Sequence, residues 1–163
     1  FAFLYITGYK FEYSKTTTKV TPAKVEDSID DVYEVFTRAY ETLDADLVAN
    51  LYETDAFYLS GKDGIVQGRD SIRPSFKRYF DWIESEGASM TIDFDIKDRT
   101  ETDSLVVDVA YYLITTTYPE DAKEDNLSAG KFVTVLRKQK NGEWKFRVDA
   151  YNPAPPSLFN KAL

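Results

Sequence analysis

The sequence contains no cysteine and no histidine among its 163 residues. These two absences exclude disulfide bonds, thiol nucleophiles, histidine-based catalytic triads and zinc sites built from histidine or cysteine. Any acid–base chemistry must therefore use aspartate, glutamate, tyrosine, lysine or water. Asp93 and Asp95 form a close carboxylate pair on one predicted strand, but the residue spacing of a metal-binding loop is missing around them. We therefore expect neither a metal ion nor a cofactor.

Positive charge is also scarce. The 20 lysines and arginines are outnumbered by 28 aspartates and glutamates, which gives a net charge of −8. This balance disfavours binding to nucleic acids and to anionic membrane surfaces, because both attract clustered basic residues. The sequence also lacks a run of about 18 apolar residues, the length that a membrane-spanning helix needs. We expect neither nucleic acid nor a membrane as a partner.

The first seven residues (FAFLYIT) allow two interpretations. They resemble the end of the hydrophobic region of a secretory signal, in which case the protein is exported to the periplasm or secreted. Otherwise they form a strand or helix of the mature fold, and a cytoplasmic location is expected. The polar, threonine-rich residues 14–24 are typical of a linker. We therefore divide the chain into an N-terminal arm or signal remnant with its linker, residues 1–24, and one domain, residues 25–163.

Aromatic residues are abundant, with 12 tyrosines and 11 phenylalanines. A chain of this length is typical of a single domain with a sizeable core. So many aromatic rings either fill that core or line a pocket for a flat, apolar ligand.

Three helices and a short strand are predicted in the first half of the domain. Residues 27–44 form the first helix, capped by Asp27 or Ser28. Residues 45–52 form a second, shorter helix, and residues 56–60 form the strand. Asp70 or Ser71 is predicted to cap the third helix, which Gly87 ends. Helical spacing predicts the inward-facing residues of the first and third helices: Ile29, Val32, Tyr33, Phe36, Tyr40 and Leu43, then Ile72, Phe76, Tyr79, Phe80 and Ile83.

Four long strands are predicted in the second half. Residues 89–98 alternate between apolar and polar, residues 103–118 are apolar on both faces, and residues 127–140 form the third strand. Asn141–Gly142 predicts a type I′ turn into the last strand. The order predicts an α+β fold in which three helices pack on a curved, mainly antiparallel sheet and leave a cavity. Because residues 103–118 are apolar on both faces, we expect a homodimer through the sheet.

Three motifs resemble the NTF2-like superfamily, and within it the SnoaL-like and DUF4440-type domains. Residues 51–56 (LYETDA) resemble the segment that leads into the first strand of these domains. Residues 68–72 (GRDSI) resemble the start of their third helix, and residues 142–144 (GEW) the start of their last strand. The resemblance covers residues 25–152 and implies the cystatin-like α+β cone. This fold hosts isomerases, cyclases, dehydratases, hydrolases and non-catalytic binders, so it does not determine an activity.

The ketosteroid-isomerase branch of this superfamily implies three catalytic positions. Its tyrosine on the first helix corresponds to Phe36 here, its base aspartate to Ser60, and its second acid falls near Thr134. All three residues are replaced, so steroid-isomerase chemistry in that form is not expected. The polyketide-cyclase branch takes its carboxylate from deeper strands, and the last strand of this chain offers Asp149.

Asp149 is the candidate general acid/base. Strict strand alternation places it on one face with Arg147 and Tyr151. If that face lines the cavity, desolvation raises the pKa of Asp149 toward a useful range, and pairing with Arg147 lowers it again. If the alternate face, which starts with Trp144 and Phe146, is the core face, Asp149 lies in solvent or in a dimer interface.

The remaining candidates are mostly aromatic, and each is either a site residue or ordinary core packing. Tyr33, and equally Tyr40, can donate a hydrogen bond to a carbonyl or enolate oxygen. The catalytic candidates are Asp149 and Tyr33. The candidate ligand-binding residues are Phe36, Tyr40, Tyr58, Trp82, Arg147 and Tyr151.

Three functions follow from these candidates. The first is a small-molecule-binding domain with an aromatic pocket and no assured chemistry. The second is a SnoaL-like enzyme of the isomerase, cyclase or dehydratase type, in which Asp149 transfers a proton next to a carbonyl with help from Tyr33 or Tyr151. The third is a dimeric association domain, which a filled interior would favour.

Overall fold

The computed structural model describes residues 28–61, 64–120 and 123–160. The predicted arm and linker, residues 1–24, lie outside the described residues. The helices are α1 (Ile29–Glu41), α2 (Ala45–Ala49) and α3 (Arg69–Ser85), followed at the end of the chain by a 3-10 helix (Pro156–Leu158). The strands are β1 (Tyr52–Leu59), β2 (Ile65–Gln67), β3 (Ser89–Glu101), β4 (Leu105–Thr117), β5 (Asn126–Lys138) and β6 (Trp144–Ala154).

The six strands form one curved sheet in the order β2-β1-β6-β5-β4-β3. All neighbouring pairs are antiparallel except β1 with β6, which is parallel. The predicted α+β cone with three helices on a mainly antiparallel sheet is confirmed. None of the helices within the described residues is long and apolar enough to cross a membrane.

Helix α1 begins where the sequence supplies a cap. Ser28 accepts a hydrogen bond from the backbone N–H of Asp31, and the Asp31 carboxylate accepts one from the backbone N–H of Ser28. This capping box satisfies two amide groups that the first turn leaves without helical partners. The predicted apolar stripe faces the sheet, with Ile29, Val32, Tyr33, Phe36 and Tyr40 all buried. The helix therefore contributes a row of aromatic rings to the interior.

The predicted second helix is too long at its C-terminal end, and the first strand starts earlier than expected. Helix α2 ends at Ala49, and β1 begins at Tyr52. Tyr52 pairs with Phe146 of β6, almost a hundred residues later in the chain. Long-range pairing of this kind overrides local helix propensity. The prediction also missed β2, which pairs with β1 as an antiparallel edge strand.

The cap predicted for the third helix is wrong. Helix α3 starts at Arg69, and the residue at its cap position is Gly68, which has a φ of 89°. A Cβ at this position would lie 3.2 Å from the carbonyl oxygen of Thr54. Glycine is favoured here because it tolerates a positive φ and leaves room for the neighbouring backbone. Asp70 and Ser71 therefore lie in the first turn of the helix instead of capping it.

The turn before β6 is a hairpin of a different type from the predicted one. A type I′ turn needs a positive φ at both central residues, but Asn141 does not have one, whereas Gly142 has a φ of 95°. The backbone N–H of Gly142 donates to the carbonyl of Gln139 at 3.0 Å. This arrangement is typical of a three-residue loop that ends in a left-handed glycine.

A β-bulge in β6 changes which residues face the helices. Phe146 pairs with Leu136 of β5, but Val148 pairs with Val135 and Asp149 with Thr134, so one extra residue lies in β6 at this point. A bulge of this kind shifts the alternation of side chains by one residue. As a result Phe146 and Asp149 both point to the concave, helix-covered face, although strict alternation places them on opposite faces. The alternative that places Asp149 in solvent or in a dimer interface is therefore wrong, although Phe146 does belong to the core.

Candidate functional site

A cavity of about 440 Å³ lies between α1, α3 and the concave face of the sheet. Its floor consists of buried residues from α1 and the central strands, including Tyr33, Phe36, Thr134 and Phe146. Exposed residues at the rim mark its opening: Gly61, Arg78, Ser128 and Pro153. The volume is within the range typical of small-molecule sites, about 300–1,000 Å³. The interior of the cone is therefore not filled by side chains.

Asp149 lies on the wall of this cavity, and its side chain is 8 % exposed. The Tyr52 hydroxyl donates a hydrogen bond to its Oδ2 at 2.6 Å. Among the described residues no donor engages Oδ1, and this oxygen is not sealed inside the protein. Desolvation raises the pKa of Asp149 to about 6, although the hydrogen bond from Tyr52 acts in the opposite direction. The carboxyl group can therefore exchange protons near neutral pH.

Tyr52 was not among the predicted site residues. Its side chain is fully buried and lies behind Asp149, so that it contacts the carboxylate without lining the cavity. The prediction missed it because residues 45–52 were interpreted as a helix. The only local signal was its place in the LYETDA motif, which does not reveal pairing with β6. The expected phenolic partner of Asp149 was Tyr33 or Tyr151, and the hydrogen bond from Tyr52 corrects that expectation.

A pair of tyrosines lies beside Asp149 on the cavity wall. The Tyr58 hydroxyl donates to the Tyr151 hydroxyl at 3.1 Å, and both rings line the cavity as predicted. Tyr151 follows Asp149 by two residues on β6, so both side chains share the concave face beyond the bulge. Among the described residues, the Tyr151 hydroxyl has no acceptor for its own proton. It is placed as a hydrogen-bond donor next to the carboxyl group.

Tyr40 and Phe36 also line the cavity, as predicted. Desolvation raises the pKa of Tyr40 well above its ordinary value, so its hydroxyl keeps its proton at neutral pH. Within the described part of the chain that hydroxyl has no hydrogen-bond partner, and it is not sealed from the cavity. Phe36 contributes only an aromatic surface. The cavity thus combines one carboxyl group with two phenolic donors in an apolar wall.

Tyr112 closes the cavity on the side of β4 and depends on a glycine opposite it. It pairs with Gly130 of β5, and a Cβ at Gly130 would lie 2.4 Å from the Tyr112 ring. The ring therefore lies directly across the glycine, where another side chain would displace it. Desolvation raises the pKa of Tyr112 to about 12.

Tyr33 lies on the cavity floor, but its hydroxyl belongs to a different network. It donates to Asp108 Oδ2 at 2.7 Å and lies 3.0 Å from the Thr134 hydroxyl. Asp108 is fully buried and also accepts two hydrogen bonds from Arg99, at 2.7 and 3.0 Å. The pKa of Tyr33 is raised strongly, first by desolvation and then by nearby Asp108. The Tyr33 proton is therefore directed toward Asp108 and away from the cavity.

Two predicted ligand-binding residues lie outside the cavity lining. Trp82 is 47 % exposed and stacks on Tyr79 at the outside of α3, with ring centroids 6.1 Å apart. Arg147 lies at the bulge of β6 and points toward β1, where it pairs with Asp55 at 2.8 Å and covers the Phe57 ring at 5.0 Å. The bulge separates Arg147 from the face of Asp149, so the expected pairing between them does not occur. Neither residue is a cavity wall.

Within residues 28–61, 64–120 and 123–160, no group of three or more aspartate or glutamate side chains is arranged to hold a metal ion.

Comparison with known proteins places this fold in a family. The family model of the SnoaL-like domain matches residues 29–147. No curated protein matches the chain significantly. A ketosteroid isomerase-like protein from Erwinia carotovora atroseptica is similar in structure, with a TM-score of 0.60 and 14 % identity over 82 % of this chain and 99 % of that one.

Two further solved structures have the same fold. A protein from Catenulispora acidiphila, solved in complex with S-DNPA, has a TM-score of 0.66 and 15 % identity over 77 % of this chain and 90 % of that one. An NTF2-like protein with a cystatin-like fold from Novosphingobium aromaticivorans has a TM-score of 0.64 and 11 % identity over 78 % of this chain and 80 % of that one. Identities this low show the fold alone. The match to the family model shows more: the chain belongs to the SnoaL-like domain family.

Proposed function

We propose that the protein binds a small aromatic carbonyl compound in the cavity and transfers a proton next to its carbonyl group, with Asp149 as the general acid/base. The observation that carries this proposal is the environment of Asp149. Its carboxyl group faces an aromatic cavity, one oxygen is held by Tyr52, and its pKa is raised to about 6. An acid/base works best when its pKa lies near the working pH.

The neighbouring phenols support the same chemistry. Removal of a proton next to a carbonyl places negative charge on the carbonyl oxygen, and hydrogen-bond donors stabilise that charge. Tyr151 supplies one such donor, and the hydrogen bond that it accepts from Tyr58 strengthens its own donation. Tyr40 supplies a second donor from α1.

The proposed proton transfer uses only the ligand and side chains of this protein. Asp149 in its carboxylate form takes a proton from the carbon next to the carbonyl, and the electrons of that C–H bond form the carbon–carbon double bond of an enolate. Tyr151 and Tyr40 donate hydrogen bonds to the enolate oxygen. The protonated Asp149 then returns the proton to the ligand. Return to a different atom gives an isomerisation, and the same proton transfers can assist a cyclisation or a dehydration.

Hydrogen–deuterium exchange of a bound ketone tests this proposal. The probe is 2-tetralone in D₂O, whose hydrogens next to the carbonyl are followed by ¹H NMR. We expect the protein to accelerate exchange over buffer. The Asp149→Asn variant should be slower by about 10²-fold or more, because it removes the base. The Tyr151→Phe variant should lose about 10²-fold through the missing donor.

The matched control is Tyr33→Phe, which removes a hydroxyl of the same cavity that is already bonded to Asp108. Its exchange rate should stay within about twofold of the wild-type rate. Equal rates for the wild type and Asp149→Asn would contradict proton transfer. Saturable binding of the ketone without accelerated exchange would instead favour a binding domain without chemistry.

Homodimerisation through the sheet stays a prediction. Four apolar side chains on the outer face of β4 and β5 are 41–54 % exposed, namely Leu105, Val109, Leu127 and Val133. Covering such a surface with a second copy is favourable because apolar area leaves water. Light scattering at micromolar concentration tests the prediction, which a monomeric mass would contradict.

A further inference from the structure

Arg78 differs from most of the other arginines of the described chain because it has no acidic partner there. Arg73 pairs with Asp46, Arg99 with Asp108 and Asp30, Arg137 with Glu53, and Arg147 with Asp55. Arg78 is exposed at the rim of the cavity, and among the described residues no ion pair or hydrogen bond involves its side chain. An unpaired guanidinium at the opening of a cavity is an available anion site.

The helix that carries Arg78 presents it to the cavity together with uncharged neighbours. Ser75, Phe76 and Tyr79 of α3 also line the cavity, and residues at this spacing share one side of a helix. The nearest acid that follows on α3, Asp81, is held by Lys77 at 2.8 Å in an i,i+4 pair. That pairing engages the carboxylate that lies one helical turn after Arg78.

The position of Arg78 also matters because of the overall charge. The protein carries a net charge of −8, which repels an anionic ligand. The cavity itself contributes a carboxyl group, Asp149, on its wall. A cation at the rim offsets this repulsion at one place and so selects the orientation in which an anionic ligand enters.

We propose that the ligand is an aromatic carbonyl compound that also carries an acidic group, and that Arg78 binds this group at the rim while the carbonyl end reaches Asp149. This inference rests on the proposed function, because it assumes that the cavity takes an aromatic ligand. Arg78 is a residue that determines specificity and has no part in the proton transfer.

Two probes with the same ring system separate the two proposals. 8-Anilinonaphthalene-1-sulfonate is anionic, and N-phenyl-1-naphthylamine lacks the sulfonate but is otherwise the same molecule. Both gain fluorescence in an apolar environment, so each dissociation constant can be measured by titration. Competition of the neutral probe with the anionic one verifies that both occupy the same cavity.

We expect Arg78→Gln to weaken the anionic probe about tenfold, the loss typical of one charge-assisted hydrogen bond. The neutral probe should bind Arg78→Gln and the wild type equally, within about twofold. The control is Arg38→Gln, which makes the same change of charge at an exposed arginine that does not line the cavity. It should leave both probes unchanged. High salt should reduce the advantage of the wild type over Arg78→Gln for the anionic probe, because it screens the attraction to the guanidinium, and it should leave the ratio for the neutral probe unchanged.

The outcomes are distinguishable. If both probes bind but Arg78→Gln affects them equally or not at all, Arg78 does not bind the acidic group. The proposal that the cavity binds an aromatic ligand then stands. If only the neutral probe binds the wild type, the proposal that the ligand carries an acidic group is wrong. If neither probe binds, ligand binding in the cavity is contradicted, and this inference fails with it.

Discussion

Asp149 and Asp108 are two buried carboxylates that lie on either side of one residue, Thr134 of β5. Asp108 pairs with Thr134 across β4 and β5, and Asp149 pairs with it across β5 and β6. Both acids point to the concave face of the sheet. Asp108 accepts two hydrogen bonds from Arg99 and one from Tyr33, whereas from the described residues Asp149 accepts only the one from Tyr52.

The number of hydrogen-bond and ion-pair partners explains why Asp108 and Asp149 behave differently, although they occupy similar positions in the sheet. A buried charge is tolerated when an ion pair and hydrogen bonds replace its hydration, as they do for Asp108. No donor within the described part of the chain compensates one oxygen of Asp149 in this way, and burial raises the pKa of its carboxyl group to about 6. We infer that Asp108 holds β3, β4 and α1 together, whereas Asp149 is left reactive. The predictions below test this contrast.

The largest effect is expected from removing the partner of Asp108. Arg99→Met leaves that carboxylate buried and unpaired, which typically costs about 3–5 kcal/mol of unfolding free energy. For a chain of this size the melting temperature should fall by about 10 °C. Urea unfolding and thermal melting measure the two quantities.

The matched control is Lys77→Met, which breaks the exposed pair with Asp81. Exposed pairs contribute about 0–1 kcal/mol, so its stability should barely change. If the two variants lost the same stability, Asp108 would not depend on its ion pair.

Replacing Asp149 is expected to have a smaller effect of opposite sign: it should increase the unfolding free energy. Its pKa of about 6 in the folded protein exceeds its ordinary value of 3.8, so the folded state favours the protonated form. The resulting stabilisation is complete below pH 4 and is lost as the pH rises through 6. Above pH 6 the lost stabilisation amounts to about 3 kcal/mol of unfolding free energy, because the pKa differs by roughly 2 units between the folded and unfolded states.

Asp149→Asn therefore should be more stable than the wild type at pH 7.5, by up to about 3 kcal/mol, and nearly equal to it at pH 4. Urea unfolding of both proteins from pH 4 to pH 8 measures the difference. A wild type that gains stability relative to Asp149→Asn as the pH rises would contradict the raised pKa.

The smallest effect is expected on the pKa of Asp149. It distinguishes Tyr52, which donates to Asp149, from Tyr33, which donates to Asp108. Tyr52→Phe removes a hydrogen bond that favours the charged form of Asp149, so the pKa of Asp149 should rise by about one further unit. Tyr33→Phe removes a hydrogen bond to Asp108 and should leave the titration of Asp149 unchanged. Titration of the ¹³C-labelled carboxyl group measures both variants. Equal shifts in the two variants would mean that the two networks are coupled.

The fold was predictable because its signals are local. The aromatic stripe of α1 and the alternation of β3 follow directly from the spacing of apolar residues. The LYETDA, GRDSI and GEW motifs pointed to the right family, which the family model confirms. Four of the predicted ligand-binding residues, Phe36, Tyr40, Tyr58 and Tyr151, line the cavity, and ligand binding by them stays a prediction.

The details of the site were less predictable because they depend on distant pairing. The bulge of β6 exists only in relation to β5, so strand alternation wrongly grouped Arg147 with Asp149. Tyr52 contacts Asp149 because β1 and β6 lie side by side, a relation between residues 97 positions apart. Tyr33 was predicted as catalytic from its place on α1, but its hydroxyl bonds to Asp108, which nothing in the local sequence reveals.

The most direct test of the account is a carboxyl titration of Asp149 in the wild-type protein. Protein labelled with ¹³C at the aspartate carboxyl groups is titrated by NMR, and the resonance missing from Asp149→Asn identifies the residue. We predict a midpoint near 6. A midpoint near 4, the ordinary range of an exposed aspartate, would contradict a desolvated carboxyl group on the cavity wall.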